Sequence, residues 1–413
     1  MLRSSGQRLN ITGSTNAPQP KTRISDFNTV VDRHNTGSLK YDSAVHQGYD
    51  EAVLPLWVAD MDFPTAPAIL DALEHRVDHG IFGYSEPSEG YYQSIVDWWK
   101  TNHNYTLNKE WILDSPGVVF SIATAIRAFT KPGDGVLIQT PVYHPFYDMI
   151  KLNNRKLVTC PLVYSDRKYS IDFDAFSQTI EKENVQLFIL CNPHNPVGRV
   201  WSSYELEKLG QICTRHNIPI LSDEIHCDIT APNFKHTVFA GLSPQLEQYT
   251  VTLTSPSKTF NLSGLQISHA FIANKDLRKL WEYEKNSTGY NEPSVLGMVA
   301  CQTAYEQCQD WLTKLRIYIN ANELFALDYL KQYVPGVYAV ERQGTYLLWL
   351  DFWGTGMTPD TVKYRLVERG KLWLYDGSAF GEEGEGFQRL NLACPRETLT
   401  EALTRLAVAL SRG

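Results

Sequence analysis

The stretch that decides the fold runs from residue 186 to residue 226 and reads QLFILCNPHNPVGRVWSSYELEKLGQICTRHNIPILSDEIH. Two short apolar runs, QLFILC and IPIL, enclose a segment whose apolar residues recur on one helical face: Leu206, Leu209, Ile212 and Cys213. Ser202 and Glu205 have the spacing of a capping box, which predicts where that helix begins. A strand, a helix and a second strand in this order predict a parallel βαβ unit.

Similar apolar runs lie on both sides of this unit: GVLIQTP from residue 135, TVTLTSPSK from 250 and SHAFIAN from 268. Their alternation with helical patterns predicts an α/β fold with a parallel or mostly parallel sheet. From residue 300 to 334 the pattern becomes one long helical stretch, followed by GTYLLWLDF as a strand and then by helix and strand again. This second pattern predicts a smaller α+β domain.

Composition limits the classes of protein that the chain can belong to. With 413 residues, of which 43% are hydrophobic, it can bury a large core and form more than one domain. A net charge of -8 without a dense Lys/Arg run argues against nucleic acid as a partner. No run approaches the roughly 18 apolar residues of a membrane helix, so we expect no membrane partner. The seven scattered cysteines form no CxxC pair, and we assign no metal ligands.

The first 25 residues are polar and rich in Ser, Thr, Asn and Pro, so we expect a flexible tail over residues 1–25. They lack the apolar segment of a secretory signal, which favours a cytoplasmic protein, although a mitochondrial presequence stays open. We place the large domain at 76–299 and assign 26–75 together with 300–413 to the small domain.

Four polar or aromatic residues follow the predicted strands: Tyr143, Asn195, Asp223 and Lys258. In an open α/β sheet, ligands bind beyond the carboxyl ends of the strands, so these residues should face one crevice. Each has an ordinary structural explanation, since Asn forms turns, Asp caps helices and Lys is usually solvated. Together they supply a stacking ring, an amide donor, an anion and an amine, which is the set that a pyridine aldehyde cofactor needs.

Groups suited to a phosphate lie near the same strand ends. Ser255, Ser257 and Thr259 surround Lys258 with hydroxyls. The segment GVVFSIATAI begins at Gly117 and predicts a helix whose first backbone N–H groups and positive dipole end could bind a dianion. Pyridoxal 5'-phosphate (PLP) is therefore the cofactor that the residues favour.

These residues resemble the fold-type-I aminotransferase superfamily and, within it, the branch of cystathionine β-lyases and other carbon-sulfur lyases of the MalY/PatB type. The resemblance extends from about residue 26 to 405 and includes PLWVADMDF, FGYSEP, CNPHNPVGR, LSDEIHCDI, SPSKTFNLSGLQ and FQRLNLACPR. VADMDF and SDEIHCD discriminate best, because general aminotransferases usually carry GxPDF at the first and Tyr in place of His226. Gln266 departs from the general pattern by replacing a phosphate-binding arginine, which we interpret as a mark of this branch. The resemblance implies a seven-stranded sheet between helices in the PLP-binding domain.

The resemblance also implies roles for cofactor contacts. Lys258 would carry the cofactor and later shuttle the Cα proton, while Asp223 would keep the pyridine nitrogen protonated. Asn195 would donate to the phenolate oxygen, and His226 would lie near that oxygen. The other implied contacts are a stacked ring from Tyr143, backbone N–H groups of Val118 and Val119 for the phosphate, and hydroxyls of Ser255 and Ser257. The alternative for His226 is a packed core histidine.

For the amino-acid substrate, the resemblance implies that Arg389 binds the α-carboxylate in a bidentate way, with help from Asn195 and the backbone of Ala59. Without the motif, Arg389 would be interpreted as a surface ion pair. Trp57 would lie at the same site. Tyr84 would reach in from a neighbouring subunit, which implies a homodimer with shared active sites.

The implied activity is β-elimination on cystathionine, cysteine or a cysteine S-conjugate, giving thiol, 2-oxo acid and ammonia. The same residues would also serve an aminotransferase, γ-chemistry like that of aminocyclopropane-carboxylate synthase, or a lyase dedicated to an adduct of a secondary metabolite. A metabolite-binding regulator on the same fold is a further alternative, although the tail shows no DNA-binding module. The substrate side chain stays open.

Overall fold

The computed structural model of the protein describes residues 26–411. The predicted flexible tail, residues 1–25, lies outside the described residues. Within residues 26–411, no helix combines the length and the hydropathy needed to cross a membrane.

Except for α1, the helices fall between and after the strands of an α/β pattern. In chain order they are α1 Leu39–Asp42, α2 Pro67–Asp78, α3 Glu89–His103, α4 Val118–Phe129, α5 Pro145–Leu152, α6 Phe173–Lys182, α7 Ser203–Arg215, α8 Pro244–Tyr249, α9 Ser257–Phe260, α10 Lys275–Ser287, α11 Val295–Gln307, α12 Gln309–Tyr333, α13 Pro359–Tyr364 and α14 Arg396–Leu410.

The strands are β1 Leu54–Pro55, β2 Ile112–Ser115, β3 Gly135–Thr140, β4 Lys156–Pro161, β5 Val163–Ser165, β6 Lys168–Ser170, β7 Val185–Cys191, β8 Ile220–Asp223, β9 Thr250–Thr254, β10 Ser268–Ile272, β11 Tyr338–Ala339, β12 Leu347–Asp351, β13 Leu372–Trp373, β14 Tyr375–Asp376 and β15 Phe387–Asn391. Every apolar run that the sequence singled out forms one of these strands.

A seven-stranded sheet in the order β2-β10-β9-β8-β7-β3-β4 forms the centre of the large part of the molecule. Strand β10 is antiparallel to both of its neighbours, and the remaining pairs are parallel. The predicted α/β fold with a mostly parallel, seven-stranded sheet is therefore confirmed.

Helices cover both faces of this sheet, as the continuous apolar character of its strands requires. Along β7, Leu187 and Ile189 pack into one hydrophobic cluster, whereas Phe188 and Leu190 pack into another. The first cluster includes residues of α4, α5 and α10, and the second includes residues of α6, α7 and α8. Alternate side chains of a strand point to opposite faces, so the two clusters lie on opposite sides of the sheet.

The helix predicted from the capping box is α7. The Ser202 hydroxyl accepts from the backbone N–H of Glu205, and the Glu205 carboxylate accepts from the N–H of Ser202. The predicted apolar face is buried at Leu206, Leu209, Ile212 and Cys213. The local sequence thus determined both the start and the orientation of this crossover helix.

A second, antiparallel sheet in the order β11-β12-β15-β14 belongs to the smaller α+β part of the fold. The sequence predicted one long helix over 300–334, and this prediction was wrong in one respect. The structure has two helices there, α11 and α12, which are divided at Cys308. At that residue the backbone leaves the helical conformation, with φ -111° and ψ 19°. Neither Gly nor Pro marks the break in the sequence. The domain limits at 75/76 and 299/300 stay a prediction.

Candidate active site

A cavity of about 210 Å³ lies at the carboxyl ends of β7, β8 and β9. The predicted site residues that line it are Ala59, Val118, Val119, Tyr143, Asn195, Asp223, His226, Ser255, Ser257 and Lys258. Parallel strands bring their carboxyl ends to one edge, which is why residues more than a hundred positions apart meet here.

Lys258 lies in the short helix α9, directly after β9. Its Nζ donates to the Ala59 carbonyl at 2.6 Å. Burial lowers the pKa of this amine to about 8, with the Asp60 carboxylate opposing the shift. An amine with this pKa is unprotonated in a fraction of roughly one tenth at pH 7, so a nucleophilic form is available.

Asp223 is the last residue of β8 and is only 4% exposed. Burial raises the pKa of its carboxyl group to about 7, while the Ile225 N–H, which donates to Oδ1 at 3.2 Å, acts in the opposite direction. A protonated ring nitrogen placed opposite this group would favour the charged carboxylate. The site therefore offers a buried anion for a heteroaromatic cation.

Arg389 lies in the middle of β15 and is 2% exposed. Its Nη1 donates to Asn195 Oδ1 and its Nη2 to the Trp57 carbonyl, both at 2.8 Å. The rings of Tyr375 and Phe380 each lie with their centroids 4.9 Å from the guanidinium carbon. Burial lowers the pKa of the guanidinium to about 10. The surface ion pair considered from sequence is wrong, because this side chain is buried and no carboxylate within residues 26–411 pairs with it.

A buried cation that lacks a protein anion is costly unless a ligand supplies the negative charge. The Nε atom of Arg389 has no hydrogen-bond partner among the described residues. Because Asn195 Oδ1 accepts from Arg389, the amide nitrogen of Asn195 is the group left to donate into the cavity. Arg389 thus presents guanidinium donors suited to a carboxylate, and Asn195 presents an amide donor suited to a neighbouring oxygen of a cofactor.

His226 lines the same cavity and is 3% exposed. Its Nδ1 has no partner within the part of the chain that the structure describes. Burial, together with the nearby cations Lys258 and Arg389, lowers the pKa of the imidazole, so the ring is neutral near pH 7. A neutral imidazole with a free nitrogen is suited to a hydrogen bond with a ligand oxygen.

The phosphate-binding end is formed by the start of α4 and by the serines near Lys258. Val118 is the first residue of α4, so its N–H and that of Val119 belong to the helix end that intrahelical bonds leave unpaired. A Cβ atom built on Gly117 would meet no atom within 4 Å, so there is open space beside this helix end. The Ser255 hydroxyl lies 2.6 Å from the Ile267 carbonyl and 2.7 Å from Ser257 Oγ. Ser257 is therefore better placed than Ser255 to donate outward. Taken together, the residues present fit pyridoxal phosphate.

Three predicted residues do not line the cavity of their own chain: Trp57, Tyr84 and Arg389, the last of which contacts the lining residue Asn195. Trp57 contributes its carbonyl to Arg389, while its ring stacks on Trp373 with centroids 4.4 Å apart. Tyr84 is 97% exposed, so its assignment to the site of a neighbouring subunit stays a prediction.

The structure adds residues that the sequence did not single out. Asn391 Nδ2 donates to the carbonyls of Val58 and Asp60, and the Tyr346 hydroxyl donates to the Ala59 carbonyl. Asn391 lies two positions after Arg389 on β15, so the two side chains share one face, and this spacing could have indicated it. No local signal in the sequence marks Tyr346.

Comparison with known proteins agrees with this geometry. The family model described as Aminotransferase class I and II matches residues 51–406. The chain is 40% identical to the cystathionine beta-lyase PatB of Bacillus subtilis, over 94% of this chain and 100% of the relative. It is 33% identical to the protein MalY of Escherichia coli, over 93% and 98%. The crystal structure of cystalysin from Treponema denticola, which contains a pyridoxal 5'-phosphate cofactor, superimposes with a TM-score of 0.91 at 37% identity, covering 94% of this chain and 99% of that one. The chain belongs to the aminotransferase class I and II family.

Proposed function

We propose that the protein binds pyridoxal 5'-phosphate in this cavity and acts as a carbon-sulfur β-lyase on cystathionine, cysteine or a cysteine S-conjugate. The observation that carries the proposal is an amine and an acid that line one cavity, Lys258 and Asp223, beside a buried guanidinium, Arg389, for which residues 26–411 supply no anion. Relatives that are named cystathionine beta-lyase support the reaction class. We place the enzyme in the cytoplasm.

When bound, pyridoxal phosphate supplies an electron sink for negative charge that develops at the substrate Cα. Arg389 and Asn195 hold the substrate carboxylate, which fixes the direction in which the Cα–H bond points. Lys258 Nζ takes that proton, and its lowered pKa suits this role near neutral pH. With sulfur on Cβ, loss of the thiolate then releases a thiol, and hydrolysis yields a 2-oxo acid and ammonia.

The first test separates elimination from transamination. Purified protein loaded with pyridoxal phosphate and given L-cystathionine is expected to release pyruvate, ammonia and free thiol without an added 2-oxo acid. Pyruvate is measured with a coupled dehydrogenase and the thiol with a chromogenic disulfide. Product formation that depends strictly on an added 2-oxo acid would reject the lyase and indicate the alternative, an aminotransferase. Turnover only of a complex cysteine adduct would indicate a lyase dedicated to one pathway.

We also propose that the enzyme is a homodimer in which Tyr84 serves the active site of the other subunit. The support is an exposed apolar segment before α3, in which Ile81, Phe82 and Tyr84 are 67%, 55% and 97% exposed. An exposed cluster of large apolar side chains is typical of a surface that a partner covers.

Mixing two inactive variants tests this sharing of residues. Tyr84→Ala and Lys258→Ala subunits, unfolded and refolded together in equal amounts, are expected to regain about one quarter of wild-type activity, since half of the dimers carry one intact site. Tyr283→Ala, which removes an exposed tyrosine on α10, serves as the control and should remain active by itself. If Tyr84 acts within its own subunit, mixing restores nothing; a monomer in light scattering also contradicts the proposal.

A further inference from the structure

Residues 57–63, WVADMDF, form a loop that carries two carboxylates beside the active site. Asp62 is 4% exposed and accepts from Lys40 Nζ at 2.7 Å and from Arg33 Nη1 at 2.8 Å. Asp60 accepts from Arg33 Nη2 at 2.7 Å, and its Oδ1 lies 3.8 Å from Lys40 Nζ. Two cations thus neutralise two carboxylates, and we call these four residues the charge cluster.

Both cations come from residues 26–48, a segment that exposes most of its side chains. Lys40 is an exception, since it is fully buried in the short helix α1. The Tyr41 ring lies 5.4 Å from the Arg33 guanidinium carbon and 5.9 Å from Lys40 Nζ. Phe27 anchors the start of this segment, since it is buried and its ring lies 5.0 Å from that of Phe63, and the charged contacts hold the part that follows.

The loop that the charge cluster holds is the one that orients the reacting side chains. The Trp57 carbonyl accepts from Arg389, and the Ala59 carbonyl accepts from Lys258. Arg33 Nη1 also donates to the Met61 carbonyl at 3.2 Å. Removing one cation leaves a buried carboxylate of the charge cluster without its counter-charge. Residues 57–63 would then have to move so that water can reach this carboxylate.

We infer that Arg33 and Lys40 are positioning residues, which neutralise Asp60 and Asp62 and so fix residues 57–63 in the shape that orients Arg389 and Lys258. The kinetic part of this inference rests on the proposed function, whereas the conformational part does not. The inference gives a role to two acidic residues in a loop beside a substrate-binding site, since both pair with cations from residues 26–48.

Lys40→Met tests the inference, because it removes the charge and keeps a chain of similar length. The first readout is hydrogen exchange in the protein without cofactor or substrate. The Asp62 N–H donates to the Ala393 carbonyl at 2.9 Å, and the Met61 N–H donates to Asn261 Oδ1 at 3.1 Å. Exchange of a peptide that spans 57–63 is expected to accelerate at least about tenfold.

The second readout is kinetic. Lys40→Met is expected to raise KM for L-cystathionine at least about tenfold and to lower kcat by a smaller factor. A displaced Trp57 carbonyl no longer orients Arg389 for the substrate carboxylate, whereas the long Lys258 side chain still reaches the substrate Cα. Lys109→Met is the matched control, since it breaks an exposed ion pair with Glu89 on α3 and should change neither readout. The double variant Lys40→Met/Asp62→Asn restores the charge balance and is expected to recover part of both effects.

If Lys40→Met does not fold, Arg33→Met is the second variant for the same test. Arg33 is 22% exposed, so water can reach the carboxylates that its removal leaves unpaired. Unchanged exchange over 57–63 together with an unchanged KM would overturn the inference, even if the melting temperature fell. Accelerated exchange in a protein whose wild type shows no lyase activity would support the positioning of the loop and reject the proposed function.

Discussion

Replacing Lys258 with alanine is expected to lower kcat/KM for L-cystathionine by at least about a thousandfold, because this amine both holds the cofactor and moves the Cα proton. No other lysine lines the cavity among residues 26–411. Loss of the side chain therefore removes a function that no neighbour replaces. The measurement is steady-state pyruvate release at saturating pyridoxal phosphate.

Covalent attachment provides a second measurement for the same residue. Wild-type protein treated with pyridoxal phosphate and then with borohydride should give an acid-stable adduct on the peptide that contains Lys258. Lys258→Ala should give none. Lys258→Arg keeps the charge and the bulk, so its inactivity would assign the effect to amine chemistry. Lys208→Ala, at an exposed position of α7, controls for unspecific labelling. An active Lys258→Ala protein, or a label elsewhere, would contradict the role.

Arg389→Lys is expected to raise KM for the amino-acid substrate by about a hundredfold while cofactor binding stays unchanged. The guanidinium uses one nitrogen for Asn195 and another for the Trp57 carbonyl and still presents donors to a carboxylate. An ammonium group is a point charge, which cannot keep both protein contacts and bind a carboxylate in a bidentate way. The Tyr375 and Phe380 rings would also lose the planar cation that lies 4.9 Å from each of their centroids.

The measurement is the dependence of initial rate on L-cystathionine concentration, with the cofactor dissociation constant measured separately by absorbance. Arg405→Lys is the matched control, because Arg405 is a half-buried arginine on α14 that pairs with Glu401 and does not line the cavity. An unchanged KM in Arg389→Lys would show that the substrate carboxylate binds elsewhere. A parallel loss of cofactor affinity would mean that Arg389 supports the cavity as a whole.

The local sequence was sufficient for much of the fold. Apolar runs of strand length, separated by helical periodicity, predicted the strands β3, β7, β8, β9 and β10, and the capping box predicted the start of α7. These signals are local, because hydrophobic periodicity and capping depend on residues only a few positions apart. The break at Cys308 escaped the same reasoning, since no Gly or Pro marks it.

The cofactor end of the candidate site was also predictable in outline. Asn195, Asp223 and Lys258 follow predicted strands, and the topology of a parallel sheet brings strand ends together without further information. Arg389 needed the family motif, because it lies in a strand of the other sheet. That His226 has a free buried nitrogen, and that Asn195 directs its oxygen to Arg389, became visible only in the structure.

The sequence by itself thus determined the α/β class, the strands and the residues at their carboxyl ends, since each of these depends on neighbouring residues or on a general rule of sheet topology. Only the tertiary structure decided how residues 57–63 are held between the two sheets. The Lys258 to Ala59 contact joins residues 199 positions apart, and the Asn391 to Asp60 contact joins residues 331 positions apart. Such contacts depend on the packing of both sheets at once, and no periodicity or spacing in the sequence specifies them.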